Sequence, residues 1–303
     1  MSHAIAISGS TGLIGSALAE HFKSKGCVVS RIVRKQSPYK GSDPCILMDV
    51  SAGTIETDKL ENLHAVIHLA GTNIAQKWTS ENKREITSSR VDSTKLIASA
   101  LAGLKQKPKV FLCASAIGYY GNHAPQDKVD ERTPLGNDHL AQVCQHWEAA
   151  TADAKNAGIR VMMMRTGIVL SRQGGALAKM LPAFKLGLGG KLGSGKQIMS
   201  WIALKEIPLI IDHMLSHEML EGPVNLVAPQ PVTNEGFTRA LGRVLKRPVV
   251  FPVPAAVIKA IFGEMGEALL LNGACVLPKR LLDSGYQFKY PDIDSALKAS
   301  LGA

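Results

Sequence analysis

Three glycines, Gly9, Gly12 and Gly15, stand three residues apart between a short apolar run and a helical pattern. The run at 4–8 predicts a buried strand, and the pattern at 13–25 predicts a helix. In that context the first glycine permits a tight turn, the second lets the backbone approach a pyrophosphate, and the third lets helix and strand pack closely. The helix N-terminus attracts the anion through its free N–H groups and its dipole. The turn therefore predicts a dinucleotide site at Gly9, Ser10, Thr11, Gly12, Leu13, Ile14 and Gly15.

The alternation of strand and helix continues along the first half of the chain. Further strands are predicted at 27–33, 45–48, 65–69, 110–114 and 160–165, and further helices at 83–102 and 140–156. Apolar strands separated by helices indicate a parallel sheet that is covered on both faces. After residue 170 the pattern changes to a glycine-rich region at 187–196, a segment with three prolines at 247–254, and helices from 255 to 301. We expect an α/β fold, a Rossmann-type doubly wound parallel sheet followed by a small, mostly helical region.

The end of the second strand indicates which dinucleotide binds. An acidic residue there usually binds a ribose 2′-hydroxyl, whereas an arginine suits a 2′-phosphate. No Asp or Glu occurs between His21 and Ser42, and Arg31, Arg34 and Lys35 lie in that interval. We predict that Arg34 binds the 2′-phosphate through a bidentate contact and that Lys35 adds a point charge. The cofactor is therefore predicted to be NADP(H); the alternative is an ordinary solvated basic surface.

Several motifs, taken together, resemble a known family. The glycine turn, the strand end His68-Leu-Ala-Gly71 and the segment from Ser115 to Gly121 resemble an extended short-chain dehydrogenase/reductase of the epimerase type. More specifically, the chain looks like a member of the uncharacterised epimerase family represented by YfcH. The stretches that carry this closer resemblance are 118–121, 165–170, 180–190, 200–202 and 277–281. The likeness runs from residue 4 to about residue 297.

The resemblance implies further cofactor contacts and a domain division. It places Asp49 and Val50 at the adenine, and Leu69, Ala70 and Gly71 along the ribose and pyrophosphate. It places Thr166, Gly167, Ile168 and Val169 near the nicotinamide. It also implies a cofactor-binding domain at 1–222, with the glycine-rich substrate loop near 187–196, and a small C-terminal domain of unknown function at 249–297 on the substrate side.

The catalytic pattern of the parent superfamily is incomplete in this chain. That pattern is a Ser together with a Tyr-x-x-x-Lys pair on one helical face, in which the Lys lowers the Tyr pKa. Ser115 matches, but none of the five tyrosines is followed four residues later by a lysine. With Glu148 as the family anchor, Leu140 stands at the Tyr position and Cys144 at the Lys position. We expect Ser115, Tyr119 and Tyr120 to be catalytic and Ser115 also to contact the cofactor, although the two tyrosines could equally form an aromatic wall.

Other residues offer weaker alternatives. His139 and His146 flank the vacated positions and could titrate near neutral pH, although such histidines are more often surface or packing residues. Cys144 is more often a buried small hydrophobe than a reactive thiol. Arg90 could meet an anionic substrate group or form a salt bridge on its helix face. Lys191 and Lys196 suit a loop that closes over a phosphate or carboxylate, or an ordinary solvated loop.

The composition of the chain indicates which classes of binding partner to expect. The net charge of +10 is scattered along the chain without a nucleic-acid motif, so an anionic small-molecule substrate is favoured over nucleic acid. Five dispersed cysteines without a CxxC pair predict neither a disulfide framework nor a metal site. No signal peptide or membrane span is indicated, so we expect a cytoplasmic protein that does not bind membranes; the superfamily often forms homodimers.

The sequence is compatible with two functions. One is an NADP(H)-dependent carbonyl oxidoreductase or nucleotide-sugar epimerase with a degenerate Tyr-x-x-x-Lys site. The other is a non-catalytic NADP(H)-binding sensor or structural protein. Because one fold hosts many functions, the resemblance does not decide between them.

Overall fold

The computed structural model describes residues 3–36 and 39–302. The strands of the main sheet are β1 (Ala4–Ser8), β2 (Val28–Arg34), β3 (Cys45–Asp49), β4 (Thr54–Ile55), β5 (Ala65–His68), β6 (Val110–Ala116), β8 (Arg160–Thr166) and β12 (Gly222–Leu226). Short strands outside it are β7 (Lys128–Val129), β9 (Ile168–Leu170), β10 (Ile198–Met199), β11 (Trp201–Ala203), β13 (Val232–Thr233) and β14 (Cys275–Val276).

The helices are α1 (Leu13–Ser24), α2 (Ser80–Gly103), α3 (His139–Ala149), α4 (Ala152–Asn156), α5 (Gly175–Lys185), α6 (Ile207–Ser216), α7 (Asn234–Leu245), α8 (Ala255–Gly266), α9 (Lys279–Asp283) and α10 (Ile293–Leu301). A π-helical turn follows α8 at Glu267–Leu271.

The described residues form a main sheet with the strand order β12-β8-β6-β5-β1-β2-β3-β4. All neighbouring strands are parallel except β3 and β4, which are antiparallel. Helices α1 and α6 cover one face with residues such as Leu18 and Ile210, while α2, α3 and α4 cover the other with residues such as Leu101 and Trp147. The predicted Rossmann-type doubly wound sheet is confirmed. Because its strands are parallel, their carboxyl ends share one edge, where ligands bind in such sheets.

A third apolar cluster packs the C-terminal region against the short strands β9, β10 and β11. It joins α5, α7 and α10 around Trp201, Phe237 and Leu297. Strand β14 pairs in parallel with β7, and the proline-bearing segment forms a bridge between Leu192 and Val253. The glycine-rich region is therefore held against this segment. A Cβ on Gly190 would lie 1.8 Å from the carbonyl oxygen of Phe251, which shows how closely the two backbones approach.

The structure departs from the sequence patterns in two places. The predicted helix at 140–156 is two helices, because Thr151 turns its hydroxyl back to the carbonyl of Glu148 at 2.7 Å and α3 ends. Helices α5, α6 and α7 and strand β12 were not predicted. In α6 the sequence Ile-Pro-Leu-Ile-Ile is apolar on nearly every side, so its periodicity distinguishes helix from strand poorly.

Candidate cofactor and catalytic site

The glycine turn between β1 and α1 forms a backbone cradle. Gly9 has φ of +63°, which favours glycine, and its carbonyl accepts a hydrogen bond from the Gly12 N–H at 3.0 Å. A Cβ on Gly15 would lie 2.3 Å from that same carbonyl oxygen. Helix α1 has no side-chain cap and no acidic residue in its first turn. Its N-terminal N–H groups are therefore suited to an anion such as a pyrophosphate.

A buried chain of side chains fixes the opposite wall of the cradle. The hydroxyl of Ser8 lies 2.6 Å from Nδ1 of His68 and accepts hydrogen bonds from the N–H groups of Leu69 and Ala70. Nε2 of His68 is 3.1 Å from the Ser93 hydroxyl, which itself donates to a backbone carbonyl. His68 is thus the Nε2–H tautomer, and burial lowers its pKa to about 4. The neutral ring fixes the Ser8 hydroxyl, which in turn holds the N–H groups of Leu69 and Ala70. A Cβ built on Gly9 would lie 2.9 Å from the Ala70 nitrogen, so this segment packs closely against the glycine turn.

The carboxyl end of β2 carries two free cations. Arg34 and Lys35 are exposed and form no ion pair with the described residues. Arg31, in contrast, is buried; it donates to Asp43 at 2.7 Å and to the Ser10 carbonyl at 2.7 Å, so it braces the glycine turn. Arg34 and Lys35 are thus the cations at this strand end that remain available to a phosphate.

Asp49 and Val50 end the next strand, β3, at the same edge of the sheet. Asp49 accepts hydrogen bonds from the Ser51 hydroxyl, the Ala52 N–H and the Gln36 amide. The Ser51 hydroxyl is the main cause that lowers the pKa of Asp49, so the carboxylate stays ionised at neutral pH. Val50 is half-buried beside it. The residues implied for the adenine therefore lie at the edge where the cradle also opens, and their role stays a prediction.

At β6 and β8 the side chains form an ion-pair network. The Ser115 hydroxyl donates to Oε1 of Glu148 at 2.7 Å. Glu148 pairs in a bidentate manner with Arg165, whose Nε and Nη2 lie 2.8 Å from its two oxygens. Burial alone lowers the pKa of Arg165, but the hydrogen bonds and charge of Glu148 outweigh burial and raise that pKa above its usual value. Both side chains are about nine-tenths buried or more, so each charge depends on the other.

The two adjacent tyrosines occupy different environments. Tyr120 is 1% exposed; its hydroxyl donates to Oδ1 of Asn225 at 2.7 Å and accepts from Arg165 at 3.1 Å. Burial raises the pKa of Tyr120 to about 12. Tyr119 is only half-buried, and its ring stacks 3.3 Å from the Arg165 guanidinium carbon. Its hydroxyl forms no hydrogen bond with the part of the chain that the structure describes, which leaves it free for a ligand.

Asn225 continues the network into the C-terminal region. Its Nδ2 donates to the Leu277 carbonyl at 2.9 Å, and its N–H donates to the buried carboxylate of Glu131 at 3.0 Å. Burial raises the pKa of Glu131. Sequence reasoning used Glu148 only as an anchor and did not assign Arg165 or Asn225; the sole signal for Arg165 was its place at the start of the 165–170 motif.

The positions that carry Tyr and Lys in the superfamily are apolar here. A Cβ on Gly118 would lie 3.2 Å from Cβ of Leu140, so Leu140 packs against the turn after β6. Cys144 is buried, its sulfur lies 3.7 Å from the Ala116 carbonyl oxygen, and burial raises its pKa to about 12. The thiol is therefore protonated at neutral pH, which favours the interpretation of Cys144 as a buried small hydrophobe. His139 packs edge-on to Trp78 at 5.6 Å, whereas His146 is exposed.

The remaining candidates lie around the same edge. The segment 166–169 follows β8, where a Cβ on Gly167 would lie 2.5 Å from the Ser200 carbonyl oxygen and the Ile168 N–H donates to that oxygen at 2.9 Å. Thr166 donates to the Met164 carbonyl, and Val169 is half-buried. In the glycine-rich region Lys191 lies 3.9 Å from Glu235, and Lys196 is exposed. Among residues 3–36 and 39–302, no cluster suited to a metal ion occurs and no helix is long and apolar enough to cross a membrane.

Comparison with known proteins agrees with this geometry. The model of the NAD dependent epimerase/dehydratase family matches residues 5–226, and a domain of unknown function, DUF1731, matches residues 253–300. The chain belongs to the NAD dependent epimerase/dehydratase family. The predicted extended short-chain dehydrogenase/reductase family is thereby confirmed, while the narrower assignment to the YfcH group stays a prediction.

Individual relatives extend over the whole chain. An epimerase family protein of Mycobacterium leprae is 39% identical over 97% of this chain and 94% of its own. The crystal structure of human epimerase family protein SDR39U1 with NADPH is similar at 32% identity, with a TM-score of 0.88 over 99% of both chains. A nucleoside-diphosphate sugar epimerase from Corynebacterium glutamicum is 33% identical with a TM-score of 0.79, over 100% of this chain and 59% of its own.

Proposed function

We propose that this epimerase-family protein binds NADP(H) and transfers a hydride to or from a carbon that bears a carbonyl or hydroxyl oxygen in an anionic small molecule. The observation that carries the proposal is the network in which Glu148, paired with Arg165, holds the Ser115 hydroxyl, while the Tyr119 ring stacks on the same Arg165 guanidinium. This network lies at the carboxyl edge of the sheet. Strand β6, which carries Ser115, is next to β5, and β5 is next to β1, the strand that leads into the cradle.

The choice of NADP(H) over NAD(H) rests on charge. Arg34 and Lys35, which form no ion pair with the described residues, are cations at the end of β2, where a carboxylate would repel a 2′-phosphate. The human relative with 32% identity was crystallised with NADPH, which supports the same choice. The cradle fits the rest of the cofactor, because helix α1 presents uncapped N–H groups and the close backbone contacts at Gly9 and Gly15 leave the turn free of side chains at these two positions.

In this proposal each side chain has one task. NADPH, when bound, supplies a hydride, and NADP⁺ accepts one. When the substrate binds, Ser115 turns its single O–H donor from Glu148 to the reacting oxygen, and Tyr119 exchanges a proton with that oxygen. Before the substrate binds, Glu148, paired with Arg165, holds the Ser115 hydroxyl in place. Tyr120 is a positioning residue, because its hydroxyl is fully used by Arg165 and Asn225.

The direct test measures NADPH consumption against a panel of carboxylate-bearing carbonyl compounds and nucleotide sugars. Removing a positioned acid or its partner typically costs about 10²–10⁴ in rate. We expect Ser115→Ala and Tyr119→Phe each to lower kcat at least about 100-fold while the Kd for NADPH stays within a few-fold. Tyr290→Phe, in the C-terminal region, is the matched control and should leave kcat unchanged. Unchanged turnover in both active-site variants would refute the proposed roles.

A second candidate is a non-catalytic NADP(H)-binding protein. The observation in its favour is the loss of both members of the superfamily pair at Leu140 and Cys144, with a neutral buried thiol in place of a cation. Tight NADPH binding together with complete inertness across the panel would favour this candidate. We also propose that the substrate is an anionic small molecule, that the protein forms a homodimer, and that the chain divides into domains at 1–222 and 249–297.

A further inference from the structure

An apolar surface lies where the chain after α5 runs beside the proline-bearing segment. Leu186 and Leu188 follow α5, Val250 and Phe251 belong to the proline-bearing segment, and all four side chains are exposed. The two stretches touch through their backbones, since a Cβ on Gly190 would lie 1.8 Å from the Phe251 carbonyl oxygen. Large apolar side chains exposed together in this way mark an interaction site.

Helix α8 extends this surface directly after the proline-bearing segment. Only Ile258 and Gly266 of its twelve residues are buried, while Val257, Ile261 and Phe262 are exposed. Val257 and Ile261 are four residues apart and therefore lie on the same side of the helix. We refer to the exposed apolar side chains within 186–188, 250–251 and 257–262 as the apolar face.

Three cations lie beside the apolar face. Lys185, Lys246 and Arg247 are exposed and form no ion pair within the part of the chain that the structure describes. Nε of Arg247 donates to the Lys185 carbonyl at 2.9 Å, so the cations come from neighbouring points of the two stretches. Lys259 of α8, in contrast, is paired with Glu267. The apolar face is thus bordered by positive charge that the described residues do not neutralise.

The sequence around the apolar face contains no acidic residue. No Asp or Glu occurs at 154–205 or at 236–263, the two stretches that supply the face. The next acids along the chain, Glu235 and Glu264, are each held in an ion pair with a basic side chain. A partner that covers this surface must therefore bury apolar side chains and supply negative charge at the same time.

We propose that the apolar face binds the surface of an anionic lipid bilayer. Its side chains are between 41% and 74% exposed, so they project from the protein and do not line a cleft. Projecting Leu, Ile and Phe side chains enter the boundary between head groups and acyl chains, while Lys and Arg beside them attract anionic head groups. This proposal replaces the expectation that the protein does not bind membranes, which rested on the lack of a span or signal peptide in the sequence. It is independent of the proposed function.

The test measures flotation of the full chain with lipid vesicles of two compositions. One set contains phosphatidylcholine alone, and the other contains equal parts of phosphatidylcholine and phosphatidylglycerol. We expect binding to the mixed vesicles to be at least about tenfold stronger, and to weaken as added salt screens the head groups. Equal binding to the two sets, or no binding to the mixed set, would overturn the proposal.

A double variant tests the apolar contacts. Leu186→Ser with Phe251→Ser removes two projecting side chains, and Met219→Ser removes an exposed side chain from the turn before β12 as the control. We expect the double variant to bind mixed vesicles at least about tenfold more weakly, because two large side chains no longer leave water, while the control binds like the wild type. All three positions are exposed, so thermal unfolding should be unchanged. Equal binding of the double variant and the control would contradict the proposal.

A second double variant tests the cations. Each Lys or Arg near an anionic membrane surface strengthens binding about fivefold, so Lys185→Gln with Lys246→Gln should weaken binding to mixed vesicles at least about tenfold. Lys105→Gln, which removes an exposed lysine just before β6, controls for net charge and should bind like the wild type. An equal loss in Lys105→Gln would show that only the overall charge of the protein matters, and would overturn the assignment of this face.

Two other occupants of the apolar face give different results. Stronger binding of the wild type to polyglutamate than to mixed vesicles would assign the face to an acidic protein and overturn the proposal. A lower molar mass of Leu186→Ser with Phe251→Ser than of the wild type in light scattering would assign the face to a contact between two copies of the chain, and would overturn the proposal as well. We expect neither result.

Discussion

The backbone cradle and the ion-pair network lie at the same edge of one sheet, but they are built differently. The cradle is formed by close backbone contacts. Gly9, Gly12 and Gly15 approach one another in the turn between β1 and α1, and Gly9 also approaches the Leu69–Ala70 segment after β5. The network is side chain against side chain. Ser115, Glu148, Arg165, Tyr120 and Asn225 come from separate elements and meet through hydrogen bonds.

This difference explains why one half keeps the superfamily pattern and the other does not. A backbone cradle tolerates no Cβ at its contact points, so its glycines are fixed by sterics. A side-chain network needs only that each polar group has a partner, and different residues can provide one. The superfamily Lys can therefore be absent while a buried cation from another element, Arg165, occupies the same region.

The largest effect is expected from breaking the network. Glu148→Gln leaves the guanidinium of Arg165 buried without its charge partner, which typically costs about 3–5 kcal/mol of unfolding free energy. Urea denaturation measures this loss. Glu235→Gln is the control, because its pair with Arg239 is exposed and is worth about 0.3–0.5 kcal/mol. Losses of equal size in the two variants would contradict the view that the network is held by buried charges.

The second largest effect is expected from acid, which should lower the unfolding free energy through His68, the buried histidine beside the cradle. His68 has its pKa lowered from 6.5 to about 4 in the folded chain, so between these values the unfolded chain binds the extra proton. Stability is therefore unaffected above pH 6.5 and falls as the pH drops from 6.5 to 4, by about 3 kcal/mol in all. The measurement is the unfolding free energy across that pH range. In His68→Gln this part of the slope should disappear, and an unchanged slope would assign the acid sensitivity to other groups.

A single added methyl group should disturb the cradle by a smaller amount. Gly15→Ala places a Cβ 2.3 Å from the Gly9 carbonyl oxygen, and such overpacking costs about 1–3 kcal/mol. We expect lower stability and weaker NADPH binding in equilibrium titrations. Gly103→Ala, at the end of α2, meets nothing within 4 Å and should be neutral or stabilising. If Gly15→Ala behaved like Gly103→Ala, the turn would not depend on backbone contact.

The smallest effect concerns the choice of cofactor. Arg34→Gln should weaken NADPH binding about tenfold, or about 1.4 kcal/mol, and leave NADH binding unchanged, because only the 2′-phosphate is lost as a partner. Paired titrations with the two cofactors measure this preference. Arg239→Gln, an exposed arginine on α7, controls for net charge. An equal loss for both cofactors would show that Arg34 does not read the 2′-phosphate.

The sequence predicted the cradle well because its information is local. The three glycines and the flanking strand and helix lie within residues 4–25, and the structure reproduces their arrangement. The ion-pair network could not be predicted in this way, because Ser115 and Glu148 are 33 residues apart and Glu148 and Arg165 are 17 apart. Their contact depends on how α3 packs against β6 and the turn that follows it, a tertiary detail that periodicity does not encode.

The hydrogen bond from Asn225 to the Leu277 carbonyl also sets an order in time. Synthesis runs from the N-terminus, so the glycine turn emerges from the ribosome before the rest of the sheet, and every strand of the main sheet precedes Leu277. A nascent chain can therefore assemble the cradle long before the ion-pair network receives its last partner. The growing polypeptide forms the backbone turn first and completes the side-chain network only when the C-terminal segment docks.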